Sequence, residues 1–137
     1  MKWTKAIGLS LMLMGMSAVA VSCREKSVND VPPEEAALRQ SVEQLQLRHY
    51  RQYVDMLDFG KPLDSLQLAW RTQAVAQYAE RLRKQHGGVQ GIRVCATDKT
   101  DDLRLTLHYY LYFADGDSDL CSQPMVKCNG EWKLKVD

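Results

Sequence analysis

At His86-Gly87-Gly88 the apolar spacing of this chain switches from about four residues to two, dividing it into a helical half and a stranded half. Upstream, Leu66, Trp70, Ala74, Tyr78 and Leu82 step by four, which puts them on one helical face. Asp64 or Ser65 can cap the start of this helix. Arg81, Arg83, Lys84 and His86 crowd its last turn, where the macrodipole favours positive charge. Gly87-Gly88 then supplies a left-handed stop. An earlier helix is expected over residues 34–58, with Pro33, Glu34 and Glu35 suited to its first turn. Leu38, Val42, Leu45, His49, Tyr53, Met56 and Leu57 give it an apolar stripe, with His49 at the core edge.

Downstream, Ile92, Val94 and Ala96 alternate with polar neighbours, and residues 98–102 read as a polar turn. Leu103, Leu105, Leu107, Tyr109, Leu111 and Phe113 form the apolar face of a long strand, with Thr106, His108, Tyr110 and Tyr112 on its other face. A turn over 114–118 leads to a strand over 120–127, where Pro124 marks a bulge or an edge. Trp132, Leu134 and Val136 carry the fourth strand. For the last hairpin a three-residue loop, Cys128-Asn129-Gly130, sets Val126 opposite Trp132 and Lys127 opposite Glu131, which matches apolar with apolar and pairs opposite charges. The expected architecture is α+β: two helices, or three if the first divides, packed on one face of a curved four-stranded antiparallel sheet.

The N-terminus carries an address. Lys2 and Lys5 precede an apolar run over 6–21, and Ala20-Val21-Ser22-Cys23 has the form of a bacterial lipobox. The run is short for a membrane span, which needs roughly 20 apolar residues. The sequence thus predicts a lipoprotein signal over 1–22 that is removed, lipid attachment at Cys23, a tether over 23–35 and one domain over 36–137. Two or more acyl chains hold such a protein to the cell envelope. Arg24 after the cysteine is not an inner-membrane retention aspartate, which favours the outer membrane. Losing Lys2 and Lys5 takes the net charge from +1 to about −1, which argues against a nucleic-acid partner.

With Cys23 acylated, Cys95, Cys121 and Cys128 remain, and no obligatory disulfide is expected among them. Cys121 and Cys128 fall on one strand, too far apart to bridge. No metal site is expected, since His49, His86 and His108 are isolated along the chain. Asp115-Gly116-Asp117-Ser118-Asp119 has the alternating acids of a calcium loop, but Leu120 and Val126 stand where an EF-hand needs glycine and glutamate. No cofactor is expected.

Tyr53, the run His86-Gly87-Gly88-Val89 into Ile92 and Val94, and Tyr112-Phe113-Ala114-Asp115-Gly116 share their order and spacing with a known group. So do Pro124-Met125-Val126-Lys127 and Gly130-Glu131-Trp132-Lys133. Over about residues 37–136 the chain resembles the small nuclear-transport-factor-two-like lipoproteins of anaerobic bacteria, a family of unknown function. The resemblance implies a cone, a curved sheet wrapped around helices, often with a pocket at its open end. It also implies pairing through the outer sheet face, and it carries over no catalytic residues.

Three functional expectations follow. Tyr53, Trp70, Tyr109 and Trp132 would line an apolar pocket for a small ligand, or simply fill the core. Thr106, His108, Tyr110 and Tyr112 would form an interface with a second copy or an envelope protein. The alternative is a periplasmic pocket enzyme, a hydrolase or isomerase, with His49 or Asp55 reaching inward from the helices.

Overall fold

The first helix starts where the sequence places it and ends early. The computed structural model describes residues 31–136, so the signal segment and Cys23 lie outside the described residues. Helix α1 spans Pro33–Gln46, with Glu34 and Glu35 in its first turn and Leu38, Val42 and Leu45 buried. The buried Ser41 hydroxyl donates to the Leu38 carbonyl at 2.6 Å, so its burial leaves no orphan donor. Arg48 then takes a left-handed conformation, φ 64°, and breaks the chain. A six-residue helix follows, α2, over Tyr50–Asp55. The single helix expected over 34–58 is therefore two. The break turns Val54 into the core and leaves His49 exposed rather than at the core edge.

The break also frees Leu57–Asp58 to become a strand, β1, which the sequence does not announce. It pairs parallel with the last strand, with the Leu134 and Val136 amides donating to the Met56 and Asp58 carbonyls. The sheet accordingly has five strands rather than four.

Helix α3 spans Ser65–His86. Asp64 caps it through a reciprocal box: its carboxylate accepts from the Gln67 amide at 2.8 Å while the Gln67 side chain accepts from the Asp64 amide at 3.1 Å. Gly87 ends it at φ 81°. Only Ala79 and Leu82 of this helix are buried. Leu66 and Trp70, expected on a core-facing row, are exposed, Trp70 at 62%. The reason is the direction of the helix, which engages α2 and the first long strand near its C-terminal end and leaves its start uncovered.

The four long strands are β2 (Val89–Asp101), β3 (Arg104–Phe113), β4 (Ser118–Cys128) and β5 (Glu131–Lys135), in sheet order β1-β5-β4-β3-β2. Strand β2 runs through residues 98–101, where a polar turn was expected. Asp101 closes the tighter turn instead, accepting from the Leu103 amide at 2.8 Å and from the Arg104 guanidinium. Leu103 is therefore exposed in the turn rather than on the core face. Pro124 lies neither on an edge strand nor at a bulge: β4 is interior, and Pro124 pairs with Thr106 while standing just beyond the end of the β4–β5 ladder, where its missing donor is not needed.

The last hairpin also differs. Met125 faces Leu134, Val126 faces Lys133 and Lys127 faces Trp132, the register of a two-residue Asn129-Gly130 turn. Both turn residues have positive φ, 52° and 82°, the conformation Asn-Gly adopts most readily. The core residue here is Met125, 1% exposed, not Val126, so apolar still meets apolar with the strand faces exchanged. Leu38, Leu105, Leu107, Met125 and Leu134 form the main core, and Leu82, Leu111 and Phe113 a second cluster.

Candidate functional site

Inside the cone, Tyr53, Tyr78, Tyr109 and Gln123 meet over a cavity of about 60 Å³. Burial and the neighbouring Tyr78 phenol push the Tyr53 hydroxyl up to about 12, and burial raises those of Tyr109 and Tyr78 as well. All three stay protonated at neutral pH. A space of this size holds roughly two water molecules, not a metabolite. Of the four aromatics expected in a pocket, only Tyr53 and Tyr109 share it. Trp70 faces solvent, and Trp132 packs by α1 with Lys127 6.0 Å above its ring. The two tryptophans miss for different reasons: α3 buries only residues of its last turns, and Trp132 sits at the hairpin end, paired with Lys127.

A larger, open groove of about 630 Å³ runs between the β1–α3 loop and the last hairpin, lined by Asp58, Phe59, Lys61, Cys128 and Lys133 among others. Cys128 Sγ donates to Asp58 at 3.2 Å, and the Gly60 amide donates to the same carboxylate at 2.7 Å. These bonds hold the Asp58 carboxyl below its ordinary value, and the carboxylate in turn raises the Cys128 thiol. A thiol held protonated is a poor nucleophile at neutral pH. His49 and Asp55, the groups an inward-reaching helix catalyst would need, pair instead with Gln44 and Arg51 at the surface.

On the outer sheet face Thr106, His108, Tyr110 and Tyr112 do lie together, along β3. Arg93 ties the two tyrosines, its guanidinium 5.3 Å over the Tyr110 ring and bonded to the Tyr112 hydroxyl at 3.2 Å. The Tyr110 partner on β4 is Leu120, 65% exposed. His108 joins two residues that sequence reasoning passed over: Nε2 meets Asp98 and Nδ1 meets the Ser122 hydroxyl, both at 2.7 Å. Carboxylate, imidazole and hydroxyl stand in the order of a nucleophilic triad. The three lie on the outer face of the sheet, Asp98 77% exposed, and line none of five cavities among the described residues. Strand register alone could have found it, since Ser122 faces His108 directly and Asp98, opposite Thr106, lies two residues along the neighbouring strand from Ala96, the partner of His108.

A second histidine cluster forms where α3 ends. The antiparallel pairing of Val89 with Phe113 folds His86 onto the β3–β4 turn, bringing Nδ1 to 2.9 Å from Asp115 and 3.5 Å from Asp117. The isolation of His86 along the chain is therefore not isolation in space.

Comparison with known proteins rests on shape. No family model matches the sequence, and no curated protein matches it either. A crystal structure of a candidate NTF2-like transpeptidase from Campylobacter jejuni superimposes with a TM-score of 0.61, at 15% identity, over 75% of this chain and 97% of that one. The fold is nuclear-transport-factor-two-like. Aln2 from a Streptomyces species matches at a TM-score of 0.47 and 12% identity over 81% of this chain and 89% of its own. A Catenulispora acidiphila protein matches at 0.34 and 16% identity over 73% and 88% of the two chains. The open sheet wrapped around helices, expected from the resemblance, is thus the observed architecture of this nuclear-transport-factor-two-like domain.

Proposed function

We propose that the chain is a bacterial envelope lipoprotein, anchored through Cys23 in the outer membrane, whose cone domain works by pairing with a second copy through its outer sheet face. The observation that carries this reading is the contrast between small interior spaces, about 60 Å³ beside the tyrosines and about 130 Å³ between the helix ends and Val89, and an outer face that exposes Leu120 beside Tyr110 and Tyr112. Burying a leucine fully is worth roughly 1.5–3 kcal/mol, and tyrosine with arginine, here Tyr110 and Tyr112 tied by Arg93, is enriched at interfaces. A face applied to its own copy satisfies the requirement of an isologous contact, in which each residue meets its counterpart region. The net charge of about −1 after processing keeps repulsion between two copies small. The lipobox supports the anchor, and the chain between Cys23 and Pro33 gives the domain reach from the membrane.

Native mass spectrometry of the protein purified from its own envelope, lipid intact, tests both halves. The expected species is a diacyl- or triacyl-bearing chain that begins at Cys23 and runs as a dimer, converted to monomer by Leu120→Lys. A monomer that releases a small molecule on denaturation would overturn the pairing reading, and a stoichiometric complex with a different envelope protein would replace the second copy as partner. An uncleaved, unacylated mass would overturn the anchor.

A further inference from the structure

We propose that His86, Asp115 and Asp117 form a divalent-cation site that takes Zn²⁺ in preference to Ca²⁺ and clips the end of α3 to the β3–β4 turn. Three observations converge on it. The first is spacing. The imidazole Nδ1 lies 2.9 Å from one carboxylate and 3.5 Å from the other, and all three donor atoms fall within 4.8 Å of one another. Ligands held at roughly 2.0–2.2 Å by a tetrahedral or octahedral ion stand about 2.9–3.5 Å apart, so both imidazole–carboxylate edges already fit and the exposed Asp117 side chain is the one that must adjust.

The second is uncompensated charge. Among the described residues, His86 is the only basic group in an ion pair with Asp115 or Asp117. Two carboxylates meeting on one imidazole leave negative charge that a cation can balance. The C-terminus of the 22-residue helix adds its own partial negative charge at the same point.

The third is that the donors are held before any ion arrives. The His86 ring stacks on Phe113, 4.3 Å between centroids, and Phe113 is itself 1% exposed. The Asp115 amide donates to the His86 carbonyl and the Ala114 amide to the Gly88 carbonyl, both at 3.0 Å, so helix end and turn move as one. Asp115 is further fixed by the Asp117 amide, which donates to its second oxygen at 3.0 Å. The Asp117 side chain is 69% exposed, which leaves an open approach for the ion and for water to complete its coordination.

The donor set chooses the ion. One imidazole with two carboxylates suits a borderline first-row cation, whereas Ca²⁺ takes six to eight oxygens. The ring then carries its hydrogen on Nε2, and Nδ1 gives its lone pair to the metal. The site offers three protein ligands and an open position, as a four-coordinate zinc site completed by water requires.

Calorimetric titration of the chelator-treated full-length mature protein in detergent with ZnCl₂ tests this, with Co²⁺ absorption as a second readout. One Zn²⁺ per chain should bind and raise Tm, and Ca²⁺ at equal concentration should not displace it. Asp117→Asn should weaken binding at least about tenfold, a loss typical of disturbed metal coordination, and should abolish the Zn²⁺-dependent rise in Tm. Its metal-free Tm should stay close to the parent's, since the substitution weakens only the 3.5 Å contact of an exposed carboxylate with His86. Asp102→Asn, at a carboxylate 95% exposed and away from the site, should bind as the parent does. Co²⁺ should show d–d bands without thiolate charge transfer. Unchanged binding in Asp117→Asn, a thiolate band, equal Ca²⁺ competition or no saturable binding would each overturn the proposal.

Discussion

A single neighbour decides what the Cys128 thiol can do. The Asp58 carboxylate accepts its hydrogen at 3.2 Å, and that bond, ahead of burial, raises the thiol above its ordinary value. Asp58→Asn removes the negative charge and lets the thiolate form more readily. Alkylation of Cys128 by iodoacetamide at about pH 8 should then speed up several-fold relative to the exposed Cys95 in the same chain, followed by mass spectrometry. An unchanged ratio would show that access, not charge, governs this thiol. The same pair links stability to acid. The Asp58 carboxyl is held below 3.8 chiefly by the Gly60 amide and then by Cys128, so its contribution to folding is fully present above that value. It is lost as pH falls through the lower folded-state value. Asp58→Asn should therefore flatten part of the loss of stability below about pH 4 in urea titrations, while leaving the slope near neutrality unchanged.

At the scale of elements, two glycines with nearly equal φ separate backbone cost from packing cost. Gly87 ends α3 at φ 81°, and a methyl placed there would lie 3.1 Å from the Ala114 Cβ. Gly130 turns the last hairpin at φ 82° with nothing within 4 Å. Gly130→Ala should cost about 1–2 kcal/mol in chemical unfolding, the conformational term alone. Gly87→Ala should cost about 1 kcal/mol more, since the helix end cannot back away from the turn it is bonded to. Equal losses would mean that the turn yields freely. The Asp64 cap gives a contrasting case. Its box is complete, yet the first turns of α3 pack on little, so Asp64→Ala should fall near the low end of about 0.5–2 kcal/mol and act by fraying. Hydrogen exchange at residues 67–70 should accelerate far more than global unfolding does. Both ends of α3 were legible in the sequence because capping chemistry is local. Its orientation was not, because a row of apolar residues states which face is apolar and not how much of that face meets a partner. The Asn129-Gly130 turn failed for a related reason: choosing Val126 as the inward residue settled the register, whereas Met125 was the buried one.

For the whole molecule, the division between core and surface was legible along β3, where alternation is strict, and that alone placed Tyr110 and Tyr112 outside and Leu107 and Phe113 inside. The clusters built from different elements were hidden. Ser122, Asp98 and the His86 triad depend on strand register and on hairpin length, which a linear reading of histidine spacing does not contain. The same holds for the cone interior, whose volume depends on how closely three helices approach the sheet. That volume can be tested directly. Tyr109 is partly buried, and its ring helps close the space of about 60 Å³. Tyr109→Ala removes most of a large ring from a wall that strand pairing with Cys121 and Val94 holds in place, so the gap cannot collapse fully. The variant should lose about 3–5 kcal/mol of stability and gain binding of a small apolar probe such as benzene, measured by ligand-dependent rise in Tm. The parent protein should show a much smaller rise, because the space beside its Tyr109 ring is only about 60 Å³. A parent that is stabilised by benzene as strongly as the variant would mean that the cone opens in solution, and the weight of the functional argument would move from the outer sheet face to the interior.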